Sequence, residues 1–112
     1  MKGSNLGEFE ELVLLATAIL DGNAYTVTIA DEIMNKTNRS LTLSAIHTVL
    51  TRLEKKEFVN SYMGGATNER GGRRRRLYKI TNSGYATLNE ARDRREQMWS
   101  SMPKLSFDFS SY

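Results

Sequence analysis

At 112 residues the chain has the length of one domain, with room for a single core and only marginal stability of its own, since small domains bury a low share of their surface. It has no cysteine and one histidine, His47, which excludes disulfides and thiolate zinc sites, leaves no histidine cluster for a metal, and fits a reducing cytoplasm. The net charge of +3 hides an asymmetry: residues 1 to 35 hold one lysine against six acids, a net −5, while the rest hold 15 basic and 7 acidic residues, a net +8, so a polyanion would dock on the later half.

In the first helical segment, Leu6 to Leu20, the residues Leu6, Phe9, Leu12, Val13, Ala16, Ile19 and Leu20 recur at three- and four-residue spacing, and Leu14, Leu15 and Ala18 fill a second face. A helix apolar nearly all round is either the centre of the core or packs its second face on a partner subunit. Its apolar run is too short to span a bilayer and follows Glu8, Glu10 and Glu11 rather than a basic region, so neither a signal peptide nor a membrane segment is expected. Asp21-Gly22-Asn23 ends it with turn chemistry.

A second helix is predicted from Tyr25 to Thr37, with Val27, Ala30, Ile33, Met34 and Thr37 on one face, Asp31, Glu32, Asn35 and Lys36 on the other, and Asn38 and Arg39 closing it. Ser40 to Thr42 reads as a short link with a single β-bridge. A third helix then runs from Leu43 or Ser44 to Lys56, burying Ile46, Val49, Leu50 and Leu53. Its opposite face, Ala45, His47, Thr48, Thr51, Arg52 and Lys55, has small and polar groups and no acid. Small residues allow close approach to another surface, and threonine, histidine and arginine reach base edges or phosphates in a groove.

Phe58 to Met63 has strand character, Gly64 to Gly72 is a glycine-rich polar loop, and Arg73 to Ile80 is a second strand, so the two strands should pair as a hairpin. The run "ERGGRRRRLYKIT" (69 to 81) ends in the strand formers Leu77, Tyr78 and Ile80, which places its arginines inside a fold rather than in a basic tail. Four arginines on a strand alternate sides, with two or three facing outward. Thr81 caps a fourth helix running to Ser101, whose apolar positions Tyr85, Leu88, Ala91, Met98, Trp99 and Met102 thicken towards its end, as in a helix that leaves the domain and docks elsewhere. Pro103 ends it, and Leu105, Phe107 and Phe109 alternate in a tail.

Helix, helix, helix, strand, loop, strand, helix is the order of a winged helix-turn-helix domain, a mainly α fold with a small β hairpin (α+β) and here an additional C-terminal dimerisation helix. The third helix of such a domain enters the major groove while the hairpin lies on neighbouring phosphates. The division expected is 1–80 for the DNA-binding domain, 81–102 for the dimerisation helix and 103–112 for a tail. The DNA-facing set is Lys36, Arg39, Ser44, Ala45, His47, Thr48, Thr51, Arg52, Lys55, Arg70, Arg73, Arg74, Arg75 and Arg76. Guanidinium forks suit phosphate oxygens, and glycines let the loop approach the backbone closely. The alternatives are a solvated basic strand for the arginines, a polar helix face for the third helix, and a core-edge role for His47. As a catalytic base His47 has no nucleophile or orienting carboxylate nearby in sequence, and phosphate-loop and metal motifs are absent, so an enzyme is disfavoured and no cofactor is implied.

The segments "LGEFEELVLL" (6 to 15), "LSAIHTVLTRLEKKEFV" (43 to 59), "ERGGRRRRLYKIT" (69 to 81) and "NSGYATL" (82 to 88), with the Thr-x-x-Gly that follows the wing, resemble the PadR-like transcriptional regulators of bacteria. The resemblance implies a cytoplasmic homodimeric DNA-binding repressor acting on an inverted-repeat operator, with the C-terminal helix packed on the first helix of the other subunit. Phe9, Leu12, Leu14, Leu15, Leu88, Met98, Trp99 and Met102 are the expected interface. Trp99 is most simply dimer core; the alternative for it, as in some relatives, is to line a small-molecule effector pore between subunits, and the resemblance is to the compact form without an elaborate effector domain. The chain departs from the family where His47-Thr48 stands for Tyr-Pro and where Thr26 follows Ala-Tyr in place of glycine, differences that bear on the operator rather than the fold. A winged-helix module that binds another protein is the alternative function; it calls for an acidic or apolar third-helix face.

Overall fold

The periodic apolar stretches fold as helices and the β-branched and aromatic stretches as a hairpin. The computed structural model describes residues 6–64 and 74–104, in the order α1 (Glu8–Ile19), α2 (Thr26–Thr37), α3 (Leu43–Lys55), β1 (Val59–Met63), β2 (Arg76–Ile80) and α4 (Asn82–Ser100). This is the four-helix, one-hairpin α+β architecture expected. The core forms where α1, α2, α3 and the hairpin meet: Val13, Leu14, Ala24, Ile29, Ile46, Leu50, Leu53 and Val59 are all at 0% exposure. Each large side chain sealed in this way contributes about 1.5–3 kcal/mol.

Chain ends of the helices are held by local chemistry. Thr42 accepts a hydrogen bond from the Ala45 amide at 3.1 Å and starts α3. Asn38, in the left-handed conformation at φ 60°, ends α2 by donating its amide to the Met34 carbonyl at 2.8 Å. After α3 the chain makes the paired bonds of a Schellman turn, Phe58 amide to Leu53 carbonyl and Glu57 amide to Glu54 carbonyl, both 2.9 Å. Glu57 takes the left-handed position at φ 66° that glycine usually fills, and Phe58 beyond it is buried.

The strands pair antiparallel from Val59 opposite Ile80 to Met63 opposite Arg76. β2 begins at Arg76, later than expected: Arg74 and Arg75 precede it as irregular chain, so of these three arginines strand alternation governs only the last. Arg70 and Arg73, the loop residues 65–72 and the tail from 105 onward lie outside the described residues. The β-bridge expected at Ser40 to Thr42 is not formed. Instead the Tyr78 amide of β2 donates to the Ala24 carbonyl at 2.9 Å, tying the hairpin to the turn before α2.

The Thr-x-x-Gly after the hairpin has a clear physical basis. The Thr81 hydroxyl accepts from the Gly84 amide at 2.9 Å and donates to the Glu57 carbonyl at 2.8 Å, and the Thr81 amide donates to the Phe58 carbonyl at 3.0 Å. A Cβ on Gly84 would stand 2.2 Å from that same Phe58 carbonyl oxygen, so only glycine lets α4 sit this close to the turn after α3. The first half of α4 shares the common core through Gly84, Thr87, Leu88 and Ala91, and everything beyond Ala91 is exposed.

Helix α1 is not apolar all round. Glu10 and Glu11 are buried side by side, each at 8% exposure, and they reach different helices. Glu10 accepts from the Gly7 amide at 3.0 Å and lies 3.4 Å from Lys56 and 3.6 Å from Arg52. Glu11 takes a two-pronged bond from Arg95 of α4, at 2.7 and 3.0 Å. Burial pushes the Glu10 carboxyl up, but the Gly7 amide, Lys56 and Arg52 together outweigh it and hold it below its ordinary value.

Candidate nucleic-acid interface

The outer face of α3 is open along its length. Ser44, His47, Thr48, Thr51, Arg52 and Lys55 are exposed and Ala45 is half-buried, while Ile46, Val49, Leu50 and Leu53 on the inner face fix the helix to the core. Three of these outer groups are already engaged: the Ser44 hydroxyl bonds the Thr42 hydroxyl at 3.4 Å, the Thr51 hydroxyl donates to the His47 carbonyl at 3.0 Å, and Arg52 leans back to Glu10. The remaining face of small, polar and basic side chains has the size and hydrogen-bonding capacity to lie in a major groove.

The flanking cations divide into two kinds. Lys36 is paired with Glu32 one turn earlier, and Arg39 grips both oxygens of Glu8 at 3.0 Å with its guanidinium carbon 5.7 Å from the centre of the Phe9 ring. These pairs are solvent-exposed, and pairs of this kind contribute about 0–1 kcal/mol, so a phosphate can replace the carboxylate at little cost. The arginines of the wing base are placed differently. Arg76 donates to the Ser61 hydroxyl at 2.9 Å, which in turn donates to Glu54 of α3 at 2.8 Å. Arg75 instead stacks on Tyr25, its guanidinium carbon 4.6 Å from the ring centre. Arg74 is exposed.

These groups meet in a cleft of about 270 Å³ between the start of α2, the outer face of α3 and the start of β2, lined by Tyr25, Thr26, His47, Arg75, Arg76 and Tyr78. No acid lines it. Tyr78 is buried at its floor, where burial pushes its phenol up and keeps it protonated. Tyr25 and Thr26 were not among the expected site residues, because the contact joins positions 50 apart and no local pattern announces it. Among the described residues no group of three or more His, Asp or Glu side chains is arranged to hold a metal ion, and no helix is long and apolar enough to cross a membrane.

A larger groove of about 540 Å³ lies between α1 and α4, lined by Leu15, Ile19, Tyr85 and Trp99 together with the Glu11–Arg95 pair. Of the residues expected at a subunit interface, Leu15, Met98, Trp99 and Met102 are exposed, Trp99 at 75%. Phe9 and Leu12 are half-buried against the core, and Leu88 is largely buried in the groove floor. Leu14 is a correction: at 0% exposure it belongs to the core of the protomer, because of the two apolar faces of α1 it lies on the one that turns inward.

A model of the transcriptional regulator PadR-like family matches residues 14–90. An uncharacterized protein of Lysinibacillus sphaericus is 35% identical over 86 residues, which cover 75% of this chain and 74% of that one. Among solved structures, a PadR-like transcription factor from Bacteroides fragilis superposes with a TM-score of 0.68 at 18% identity, over 83% of this chain and 84% of that one. A PadR-like transcriptional regulator from Bacillus cereus gives the same TM-score at 16% identity, over 83% and 85%.

Proposed function

Because the chain belongs to the transcriptional regulator PadR-like family, whose members are regulators and not enzymes, we propose that it acts in the cytoplasm as a homodimeric repressor of bacterial type. It binds an inverted-repeat operator in double-stranded DNA through α3 in the major groove and the arginines of the wing on phosphates. The observation that carries this reading is the outer face of α3, polar and basic along Ser44, His47, Thr48, Thr51 and Lys55 with its one acid, Glu54, bonded to Ser61 of β1, standing beside the acid-free cleft of Arg75, Arg76 and His47. A protein-binding winged helix would present an acidic or apolar face there, and Ser44, His47, Thr48, Thr51 and Lys55 are neither.

Dimerisation uses the exposed apolar side chains of α1 and α4, with Trp99 at the centre, and the groove beside Trp99 is where an apolar small-molecule effector would enter. Two-fold symmetry places two copies of α3 about 34–36 Å apart, or a multiple of that, along one face of the duplex. Footprinting on DNA upstream of the protein's own gene, or on fragments captured by the purified protein, tests this. Two symmetric protected half-sites are expected; protection of a single asymmetric half-site overturns it.

A further inference from the structure

We propose that Tyr25 is a positioning residue for DNA binding: its ring holds the Arg75 guanidinium at the base of the wing so that the cleft beside His47 takes one backbone phosphate of the duplex. The inference rests on the functional reading above and adds to it a residue and a defined subsite.

An arginine at the foot of a loop has many rotamers to choose among, and ordering it on a phosphate costs side-chain entropy. Stacking removes much of that cost in advance. With its guanidinium carbon 4.6 Å from the Tyr25 ring centre, Arg75 lies over the ring face. A planar guanidinium stacked in this way keeps its N–H groups pointing outward along its edges, in the fork that matches two phosphate oxygens. Tyr25 is well suited to the task because its own backbone is fixed: its amide donates to the Thr28 hydroxyl at 3.0 Å, and its carbonyl accepts from the Ile29 amide at 2.9 Å in the first turn of α2. The ring therefore stands on the rigid body of the domain, whereas Arg75 precedes the strand.

The neighbours define the ligand. Arg75 and Arg76 both line the cleft with His47, and no carboxylate does; Arg76 spends a guanidinium N–H on Ser61, which bonds Glu54, while Arg75 is the one laid on the Tyr25 ring. A cleft of about 270 Å³ has room for a phosphodiester, and its arginine-bearing, acid-free lining favours the charged phosphate over a neutral base. Since His47 also belongs to the outer face of α3, a phosphate seated here would fix where α3 lies along the groove. Tyr25 makes no side-chain bond that caps α2, so its replacement leaves the helix start intact.

Phosphate contacts do not depend on sequence, so the test uses a random-sequence duplex and needs no operator. Affinity is measured against salt concentration for the parent, Tyr25→Leu, Tyr25→Phe, Arg75→Ala and the double variant Tyr25→Leu/Arg75→Ala, with circular dichroism confirming that each is folded. Arg75→Ala and Tyr25→Leu should both weaken binding and flatten log affinity against log salt, by about 0.9 for each phosphate no longer neutralised. Tyr25→Phe should behave as the parent, and the double variant no worse than Arg75→Ala alone. Tyr25→Gln supplies a second ring-free side chain should leucine disturb the fold. Loss of binding in Tyr25→Phe equal to that in Tyr25→Leu overturns the proposal in favour of a hydroxyl contact. Ring-free variants that match the parent overturn it alone and leave the functional reading standing, whereas a parent that binds no duplex overturns both.

Discussion

Helices α3 and α4 both reach into solvent, but α3 does so mainly with polar and basic groups, whereas α4 adds the large apolar side chains of Tyr85, Met98 and Trp99 to its mixed charges. α3 buries all four residues of its apolar stripe within the protomer and turns serine, threonine, histidine and lysine outward. α4 starts in the same core at Gly84 and Leu88, then runs outward carrying Met98 at 73% and Trp99 at 75% exposure. A polar exposed face needs no partner to be stable in water, whereas a large aromatic standing in solvent has most of its burial energy still to gain. The contrast teaches that the two helices present different kinds of surface: one whose chemistry suits a hydrated polyanion, the other one whose end suits an apolar partner.

The comparison is broken most forcefully at Trp99. Buried aromatics at the centre of an interface cost about 2 kcal/mol or more when truncated, so Trp99→Ala should weaken self-association by roughly thirty-fold or more in sedimentation equilibrium, with the helical circular dichroism retained. A variant that associates as tightly as the parent would remove α4 from the interface. Thr48→Ala probes the other face. It should leave self-association unchanged and weaken operator binding by about 1–3 kcal/mol if the threonine side chain reads a base, with binding to random DNA nearly as before. An equal weakening on operator and random DNA would place Thr48 on the sugar-phosphate backbone.

A smaller effect sharpens the link between the two helices through α1. The Glu10 carboxyl lies below its ordinary value of 4.5 in the folded protein, so its contribution to stability is complete above that value and is lost as the pH falls through the lower, folded one. Glu10→Gln should therefore flatten the decline of stability at acid pH, as read from urea midpoints between neutral pH and pH 3. An unchanged pH profile would show that Lys56 and Arg52 do not hold this carboxylate in solution.

Much of the fold is legible in the sequence because it rests on local patterns. The stripe of Ile46, Val49, Leu50 and Leu53, the turn at Asp21-Gly22-Asn23 and the cap at Thr81 each announce an element within a few residues. What escapes such reading is set at longer range or against local preference. Glu57 occupies a left-handed position without being glycine, because the buried Phe58 and the Thr81 hydroxyl hold it there, and nothing nearby in sequence signals that. Leu14 and Leu15 are adjacent and chemically equal, yet only the first faces the core, a choice that depends on where α2 and α3 pack. The pairs Glu10 with Arg52, Glu11 with Arg95, Glu8 with Arg39 and Tyr25 with Arg75 join residues far apart in the chain, so they turn two expected DNA contacts, Arg39 and Arg52, into partners of α1 as well.

Gly84 has a consequence in leverage. The helix is seated where Gly84 meets the Phe58 carbonyl, and Trp99 follows fifteen residues later, about 22 Å along the axis at 1.5 Å per residue. A tilt of about 5° at that seat moves the indole by roughly 2 Å. In the proposed dimer the same tilt would rotate one whole DNA-binding unit against the other and change the distance between the two copies of α3. In that dimer the missing side chain at position 84 would set a length measured along the DNA.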